Sequence, residues 1–340
     1  MPRKPRKLQF LPSRTPQPMS VDVFPNGSVL VDFNGRRFEI GPRLCTGGNG
    51  KYPYVVKLEP TKNGSLFQES VTYQRILKRP LIEKWCASKG FPSLAVPEAI
   101  SFGKHQQNDK AYRFLVQKRL GPSLASVLQK RTPKRLTTAE ILDVAKQCVR
   151  VCQFLNSHGY AHGDIKGDNI LLKTDTEVDF HDCCLIDYGL ATRVASISPL
   201  TVQPELAHEG TKEFCSMDAH AGYPPTFRGD LQSLGFNMVY WSTGSLPWLQ
   251  TKDPATIMKE KETFTSDLEN SLNSVEDEAL RQVLQQLFLY VLSLEPQEDP
   301  DYGKIIGFLD PTPEATPQPK RKRKRGQPNY AGAKRRKRAQ

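Results

Sequence analysis

The 340-residue sequence lacks an apolar run long enough to cross a bilayer. Its most apolar stretch, 287–294, is far shorter than the roughly 20 residues that a membrane-spanning helix needs. The basic start of the chain leads into no apolar segment of the kind that a secretory signal contains. We therefore expect no membrane partner.

Cysteine is scarce, with 7 residues and no Cys-x-x-Cys pair. An odd number of cysteines without a secretory signal predicts reduced thiols inside a cell. Cys148 and Cys152 lie one helical turn apart, but no second His or Cys pair at ligand spacing completes a metal site. We expect both thiols to pack in the core as small apolar groups.

Acidic residues are absent from both ends of the chain. Of the net charge of +12, residues 1–14 carry +5 and residues 318–340 carry +11, so residues 15–317 carry −4. The basic character therefore belongs to two terminal segments, and the body is mildly acidic. This distribution excludes a basic groove running through the body.

Proline and polar residues predict where the chain folds. The first 20 residues hold five prolines without periodicity, which predicts a disordered basic arm over 1–20. Apolar alternation around Asn26-Gly27 and Asn34-Gly35 then predicts hairpins, and further strands are expected at 54–58 and 112–117. With one helix over 66–77, residues 21–120 are expected to form an antiparallel lobe.

Residues 121–317 have a helical character. Thr137 and Glu140 match a capping box, and an apolar stripe follows until Gly159. Short strands are expected at 169–172 and 183–186, and buried helices around 230–241 and 275–294. A sheet-rich lobe followed by a helical lobe predicts an α+β fold with a cleft between the lobes, and residues 318–340 are expected to be a disordered basic tail.

Two short motifs carry the chemistry. The loop 162–169 reads His-Gly-Asp-Ile-Lys-Gly-Asp-Asn, and 185–191 reads Leu-Ile-Asp-Tyr-Gly-Leu-Ala. Taken singly, an Asp-x-Lys is usually a surface charge pair, and an Asp before a Gly is usually a turn residue. Their order and spacing, however, resemble the catalytic and metal-binding loops of eukaryotic protein kinases.

The resemblance implies a role for each polar residue of these motifs. Asp164 would accept the hydroxyl proton, and Lys166 would neutralise the migrating phosphoryl group. Asn169 and Asp187 would hold Mg²⁺. Thr211, at the substrate-facing end of an activation segment, is assigned to the catalytic group.

ATP binding needs a lysine on a central strand, and Lys57 in Tyr-Val-Val-Lys has that context, with Glu69 as its expected helical partner. The other nucleotide-binding residues that the resemblance implies are Gly47, Gly48, Gly50, Lys118 and Leu120.

Further motifs narrow the resemblance to the vaccinia-related kinases, a branch of the casein-kinase-1-like group. They are His-Gly-Asp-Ile-Lys, Asp-Tyr-Gly, Val-Val-Lys-Leu-Glu-Pro, Ser-Met-Asp-Ala-His at 216–220 and Leu-Pro-Trp at 246–248. The resemblance covers about 36–300. It implies a bilobal kinase fold and a Ser/Thr kinase that uses ATP and Mg²⁺ on nuclear and chromatin proteins. Gly163 stands where most kinases carry an arginine that binds an activation-loop phosphate, so we expect constitutive activity.

The Gly-rich loop departs from the family pattern. Cys45–Gly50 lacks the first glycine of Gly-x-Gly-x-x-Gly, and only 51–56 separate Gly50 from Lys57. Six residues cannot hold the rest of the loop, a second strand and a turn. We therefore expect either a missing second strand or a lost stretch of sequence. One branch of the family is a pseudokinase, so the alternative function is a catalytically weak nuclear scaffold.

The C-terminal segment has two basic clusters, 320–325 and 334–338. This pattern resembles a bipartite nuclear localisation signal, which predicts an import receptor as a partner and the nucleus, with the cytoplasm as a second compartment. A third hypothesis is a nucleic-acid-binding protein whose tails contact phosphates without sequence specificity. Tyr330 is the only aromatic residue there, so base stacking is not implied.

Overall fold

The computed structural model describes residues 6–11, 24–43, 52–174, 176, 178–194 and 200–310. Six strands form one sheet in the order β2-β3-β1-β4-β6-β5. The strands are β1 (Arg6–Leu11), β2 (Val29–Val31), β3 (Arg37–Arg43), β4 (Tyr54–Pro60), β5 (Ala99–Gln107) and β6 (Lys110–Lys118). Two helices accompany this sheet, α1 (Ser65–Arg75) and α2 (Arg79–Lys89).

The rest of the described chain is mostly helical. Its helices are α3 (Leu124–Gln129), α4 (Thr138–Ser157), α5 (Met217–His220), α6 (Phe227–Thr243), α7 (Pro254–Ser266), α8 (Leu268–Ser271), α9 (Glu278–Ser293) and α10 (Tyr302–Leu309). Two short antiparallel pairs frame the loops between α4 and α5. They are β7 (Tyr160–Ala161) with β10 (Thr192–Arg193), and β8 (Ile170–Leu172) with β9 (Cys183–Leu185). The predicted α+β architecture, with a sheet lobe and a helical lobe, is confirmed.

Local sequence signals placed several elements correctly. The capping box at the start of α4 is formed, since Thr137 and Glu140 each accept a hydrogen bond from the other's backbone. The helix expected over 66–77 runs over Ser65–Arg75. The structure adds α2 and β5, which sequence patterning missed, and residues 21–23, at the start of the first predicted hairpin, lie outside the described residues.

Strand β1 corrects one prediction. Residues 6–11 were expected to belong to a disordered arm, but they pair in parallel with β3 on one side and β4 on the other. Leu8 lies opposite Ile40 and Tyr54, and Leu11 lies opposite Lys57. Strand β1 is thus paired in parallel on both sides, between β3 and β4, while the other described pairs of this sheet are antiparallel.

Backbone hydrogen bonding explains why this segment can enter the sheet. Strands β3 and β4 each present a row of N–H and C=O groups that needs a partner. Proline cannot donate to such a ladder, and β1 occupies the proline-free interval between Pro5 and Pro12. Composition alone indicated that residues 6–11 are disordered. The unpaired edges of β3 and β4, however, favour pairing with this segment.

Two large apolar clusters and a small one, formed by Ala161, Val194 and Phe227, stabilise the described part of the chain. One large cluster lies within the sheet and includes Phe38, Val56 and Phe114, and the other extends through the helical region. Cys148 and Cys152 lie in the second, as predicted, and burial raises the pKa of Cys148 to about 12. All six cysteines within the described ranges are buried thiols outside any disulfide. No helix of the described residues is long and apolar enough to span a membrane.

The pairing of β1 on both sides predicts a stability effect for a proline at Gln9. Gln9→Pro removes a backbone donor from a strand with a neighbour on each side, so the full-length variant should melt several degrees lower, a loss of roughly 1–3 kcal/mol. Gln9→Thr, which keeps the N–H and favours a strand, is the control in thermal unfolding. Equal melting temperatures for both variants would show that β1 contributes no stability.

Candidate active site

The predicted catalytic loop, residues 162–169, follows β7 and is fixed by a carboxylate from α6. Asp230 Oδ2 accepts a hydrogen bond from His162 N at 2.6 Å, and Oδ1 accepts one from Gly163 N at 2.8 Å. Asp230 is buried, and burial raises its pKa to about 6, although the two amide donors oppose the shift. Asn237, two turns later on α6, donates to Ile165 O at 2.9 Å. Helix α6 therefore positions the loop backbone at its start and near its middle.

His162 has a role inside the loop. The backbone N–H of Asp164 donates to His162 Nδ1 at 3.2 Å, so the other ring nitrogen, Nε2, carries the proton and donates to Ile186 O, 3.2 Å away. The ring is fully buried. His162 thus joins the catalytic loop to the residue that precedes Asp187.

The predicted catalytic residues form one hydrogen-bonded group. Asp164 is buried, and its Oδ1 accepts a hydrogen bond from Thr211 Oγ1 at 2.9 Å. Lys166 Nζ lies 3.5 Å from Asp164 Oδ2 and donates to Thr211 Oγ1. Asn169 Nδ2 donates to the backbone oxygen of Asp164 at 2.8 Å and to Oδ2 at 3.1 Å. The carboxylate is therefore held in one orientation by three polar neighbours.

Gly163 adopts a backbone conformation that favours glycine. Its φ is +82°, and a Cβ at this position would lie 2.7 Å from Pro225 Cγ. An arginine here would need both the backbone and the Pro225 loop to move. The absence of the usual arginine therefore fits the local geometry.

The second group surrounds Lys57 on β4. Its ammonium lies 3.0 and 2.8 Å from the two carboxylate oxygens of Glu69 on α1, and 3.3 Å from Asp187 Oδ1. Burial alone would lower the pKa of Lys57, but the charges of Asp187 and Glu69 outweigh it and raise the pKa. Lys57 therefore carries its charge throughout the physiological range, on the strand predicted to bind phosphates.

Helix α1 is anchored at its start by a residue of the same strand as Lys57. Glu59 is fully buried and accepts hydrogen bonds from Leu66 N at 2.7 Å and Ser65 Oγ at 3.1 Å. A carboxylate satisfies the otherwise unpaired N–H groups of a helix start and complements its dipole. Strand β4 thus holds α1 at two places, through Glu59 and through the Lys57–Glu69 pair.

Aromatic packing extends from α1 to the catalytic loop. The rings of Tyr73 and Tyr188 meet edge to face with centroids 5.6 Å apart, and Tyr188 meets His162 at 5.0 Å. Tyr188 OH donates to Leu185 O, and Gln68 Nε2 donates to Ala191 O at 2.7 Å. These contacts keep Asp187 beside Lys57.

Asp187 itself has a left-handed backbone, with φ +68°. This conformation costs about 1 kcal/mol or more for a residue other than glycine and is enriched at functional sites. The carboxylate of Asp187 and the amide oxygen of Asn169 are hard oxygen donors, the type that Mg²⁺ takes together with water and phosphate oxygens. The donor set therefore fits a magnesium–nucleotide complex.

The remaining residues predicted to bind the nucleotide are not part of these two groups. Lys118 ends β6, and Leu120 lies in the linker that leads into α3. Gly47, Gly48 and Gly50 lie outside the described residues, so the Gly-rich loop stays a prediction. The structure thus brings Asp164, Lys166, Asn169 and Thr211 into one group and Lys57, Glu69 and Asp187 into another.

Sequence reasoning missed several supporting residues. Glu59 was quoted only as part of a motif, although its place two residues after Lys57 on one strand puts both on the same face. Asn237 follows Asp230 by seven residues, a spacing that puts both on one side of a helix. Helical periodicity could therefore have identified Asn237.

A cavity of about 560 Å³ opens beside the catalytic loop. Its lining includes Asp168, Thr211, Phe214, Tyr240 and Trp241. Thr211, which donates to Asp164, lines this cavity, so a group bound there would lie close to the buried Asp164 carboxylate.

Comparison with known proteins adds independent support. The protein kinase domain model matches residues 93–305. The chain is 34% identical over 295 residues to the B1 kinase of Vaccinia virus (strain Ankara), which covers 83% of this chain and 97% of that protein. It is 33% identical over 297 residues to nucleosomal histone kinase 1 of Drosophila melanogaster, covering 83% of this chain and 49% of that protein.

Two further relatives agree. Serine/threonine-protein kinase VRK2 of Homo sapiens is 32% identical over 307 residues, covering 85% of this chain and 59% of that protein. The solved structure of vaccinia related kinase 3 matches with a TM-score of 0.70 and 31% identity, covering 85% of this chain and 92% of that chain.

Proposed function

The chain belongs to the vaccinia-related branch of the protein kinase family and is an ATP-dependent serine/threonine kinase, and we propose that it phosphorylates nuclear or chromatin-associated proteins through Asp164. The observation that carries the assignment of Asp164 is its buried carboxylate, contacted by Lys166, Asn169 and Thr211 at the edge of the cavity. The nuclear acceptors are supported by a histone kinase among the relatives.

The proposed reaction follows from the two groups of residues. Asp164 orients the acceptor hydroxyl and takes its proton as the oxygen bonds to the γ-phosphorus of ATP. The bond between the γ-phosphorus and the bridging oxygen breaks, and ADP leaves. Lys166 offsets charge on the transferred group, while Lys57 holds the α- and β-phosphates.

We assign the metal to Asn169 and Asp187. A bound Mg²⁺ supplies positive charge to the phosphate oxygens. The side-chain amide nitrogen of Asn169 donates to Asp164, so Asn169 links the proposed metal site to the proton acceptor. Glu69 positions Lys57, and Lys118 and Leu120 are assigned to nucleotide binding.

Substitutions at the two carboxylates should separate chemistry from nucleotide binding. Asp164→Asn removes the proton acceptor but leaves Lys57 and the metal ligands, so turnover should fall roughly 10²- to 10⁴-fold while Mg·ATP still raises the melting temperature. Asp187→Asn removes a metal ligand and one partner of Lys57, so turnover and the Mg·ATP-induced shift should fall together. Lys57→Met should also abolish turnover.

The matched control is Asp109→Asn. Asp109 is exposed in the turn between β5 and β6 and has φ +58°, a conformation that asparagine tolerates. It should keep full turnover and the full Mg·ATP shift. Two results together would replace the enzyme with the scaffold function. The unmodified chain would phosphorylate no protein, and Mg·ATP would shift the melting temperature of Asp164→Asn and of Asp187→Asn as much as it shifts that of the unmodified chain.

We further propose that the basic segment 320–338 directs the kinase to the nucleus by binding an import receptor, and that it contacts nucleic-acid phosphates without sequence specificity. Its charge supports this proposal, since eleven cations occur in 318–340 without an acidic residue. The cytoplasm would be the second compartment, where the protein resides before import.

Removal of residues 318–340 should make a fluorescent fusion diffuse throughout the cell, because both basic clusters are lost. The control is the full-length fusion carrying Arg3→Gln and Lys4→Gln, which loses basic charge only at the other end and should remain nuclear. The measurement is the nuclear-to-cytoplasmic fluorescence ratio. An unchanged ratio after truncation would contradict the proposed role of this segment.

A further inference from the structure

Lys261 on α7 is a buried cation outside the two groups of the active site. Its side chain has no exposed surface, and within the described ranges it forms no ion pair with an aspartate or glutamate. Its ammonium donates to Lys212 O at 2.7 Å and Cys215 O at 2.7 Å, and lies 3.1 Å from His220 Nε2. A buried charge is costly unless it is fully hydrogen-bonded, so this arrangement requires an explanation.

The hydrogen atoms of the network can be assigned by counting donors. An ammonium has three N–H groups, and its three neighbours are two carbonyl oxygens and one ring nitrogen. His220 Nε2 must therefore accept, which places the ring proton on Nδ1, 2.8 Å from His208 Nδ1. Burial and the nearby Lys261 charge lower the pKa of His220 to about 3, so the ring stays neutral. Every N–H of Lys261 thus has an acceptor.

The carbonyls that Lys261 binds belong to the turn formed by residues 211–215. The N–H groups of Phe214 and Cys215 both donate to Thr211 O, at 2.8 and 2.7 Å. Trp248 Nε1 donates to a third carbonyl of the turn, Glu213 O, at 2.8 Å. Buried donors from outside the turn therefore hold the carbonyls of Lys212, Glu213 and Cys215.

Thr211 connects this turn to the chemistry. Its hydroxyl donates to Asp164 Oδ1 at 2.9 Å, and it lines the 560 Å³ cavity with Glu213 and Phe214. A shift of the turn would change both the contact with Asp164 and the shape of the cavity.

We propose that Lys261 is a positioning residue, whose protonated amine fixes the turn 211–215 so that Thr211 contacts Asp164 and the cavity accepts the protein substrate. This inference rests on the proposed kinase function. A neutral amine has two N–H groups instead of three, and each is a weaker donor than the N–H of an ammonium, so deprotonation weakens the hydrogen bonds to both carbonyls of the turn. The turn then loosens, and acceptor phosphorylation declines.

The groups around Lys261 determine the pH at which its ammonium loses a proton. Burial lowers the pKa of Lys261 to about 8, against the opposing effects of Cys215 and Glu213. The aromatic rings of Phe236 and Trp248, at 5.1 and 5.5 Å, also face the ammonium. The titratable and charged groups around the network are Lys212, Glu213 and Cys215 on the turn, and His208 and His220 beside α5.

The sign of the effect on stability differs from the sign of the effect on activity. The folded chain releases the Lys261 proton near pH 8, whereas an exposed lysine does so near pH 10.5. The unfolded chain therefore binds more protons between these values, and Lys261 contributes more stability as the pH rises through this window. Activity should fall over the same window because the hydrogen bonds that hold the turn weaken.

The test compares Lys261→Met with Lys259→Met, an exposed lysine on the same helix. With a histone as acceptor, wild-type kcat/KM for the histone should decline as the pH rises through about 8. Lys261→Met should lower kcat/KM for the histone by about 10- to 100-fold, leave KM for ATP within about twofold, and lack the alkaline decline. Lys259→Met should behave as the wild type.

Two more variants keep the test decisive. Cys215→Ser removes the neighbouring thiol and should retain the alkaline decline, which assigns it to Lys261. If Lys261→Met does not fold, Lys261→Arg supplies a cation that stays charged below about pH 12, so the decline should disappear from its profile. An unchanged alkaline decline in Lys261→Met or Lys261→Arg overturns the proposal. Absence of wild-type phosphorylation at every pH would instead refute the kinase function.

Discussion

One buried cation, the ammonium of Lys57, holds the cleft together. Glu69 on α1 and Asp187 in the loop after β9 both contact it, so a strand, a helix and a loop meet at one charge. Removing the ammonium would leave the buried Glu69 carboxylate without its cation, which costs several kcal/mol. Glu59 and the Tyr73–Tyr188 contact prevent α1 from moving away. The nucleotide side of the active site is therefore assembled by the chain itself.

The acceptor side depends on the same rule, that buried polar groups need partners. Asp230 satisfies two backbone N–H groups of the catalytic loop, and Asn237 satisfies a third backbone group. Thr211 then joins the loop to the turn that Lys261 binds. Gly163 stands at the position where the family resemblance places a phosphate-binding arginine in most kinases, and a Cβ there would lie 2.7 Å from Pro225 Cγ. The prediction of activity without prior phosphorylation rests on this difference.

The sequence predicted what depends on contiguous motifs. The loop 162–169, the Asp187 turn, the α4 cap and the partnership of Lys57 with Glu69 all follow from local patterns or from the family resemblance. It could not predict β1, because that strand is selected by unpaired edges of β3 and β4 that are distant in the chain. Lys261 was also missed, since a lysine on a polar-looking helix predicts exposure, and only the fold shows its acceptors. The Gly-rich loop lies outside the described residues.

The most direct test is the time course of phosphoryl transfer by phosphatase-treated protein. The full chain is treated with phosphatase, freed of it, and mixed with radiolabelled ATP, Mg²⁺ and histones, with and without preincubation in unlabelled Mg·ATP. A pre-assembled active site predicts that histone labelling is linear from the first time point and that preincubation does not raise the initial rate. A lag that preincubation removes, or labelling only after phosphorylation by another kinase, would contradict the account.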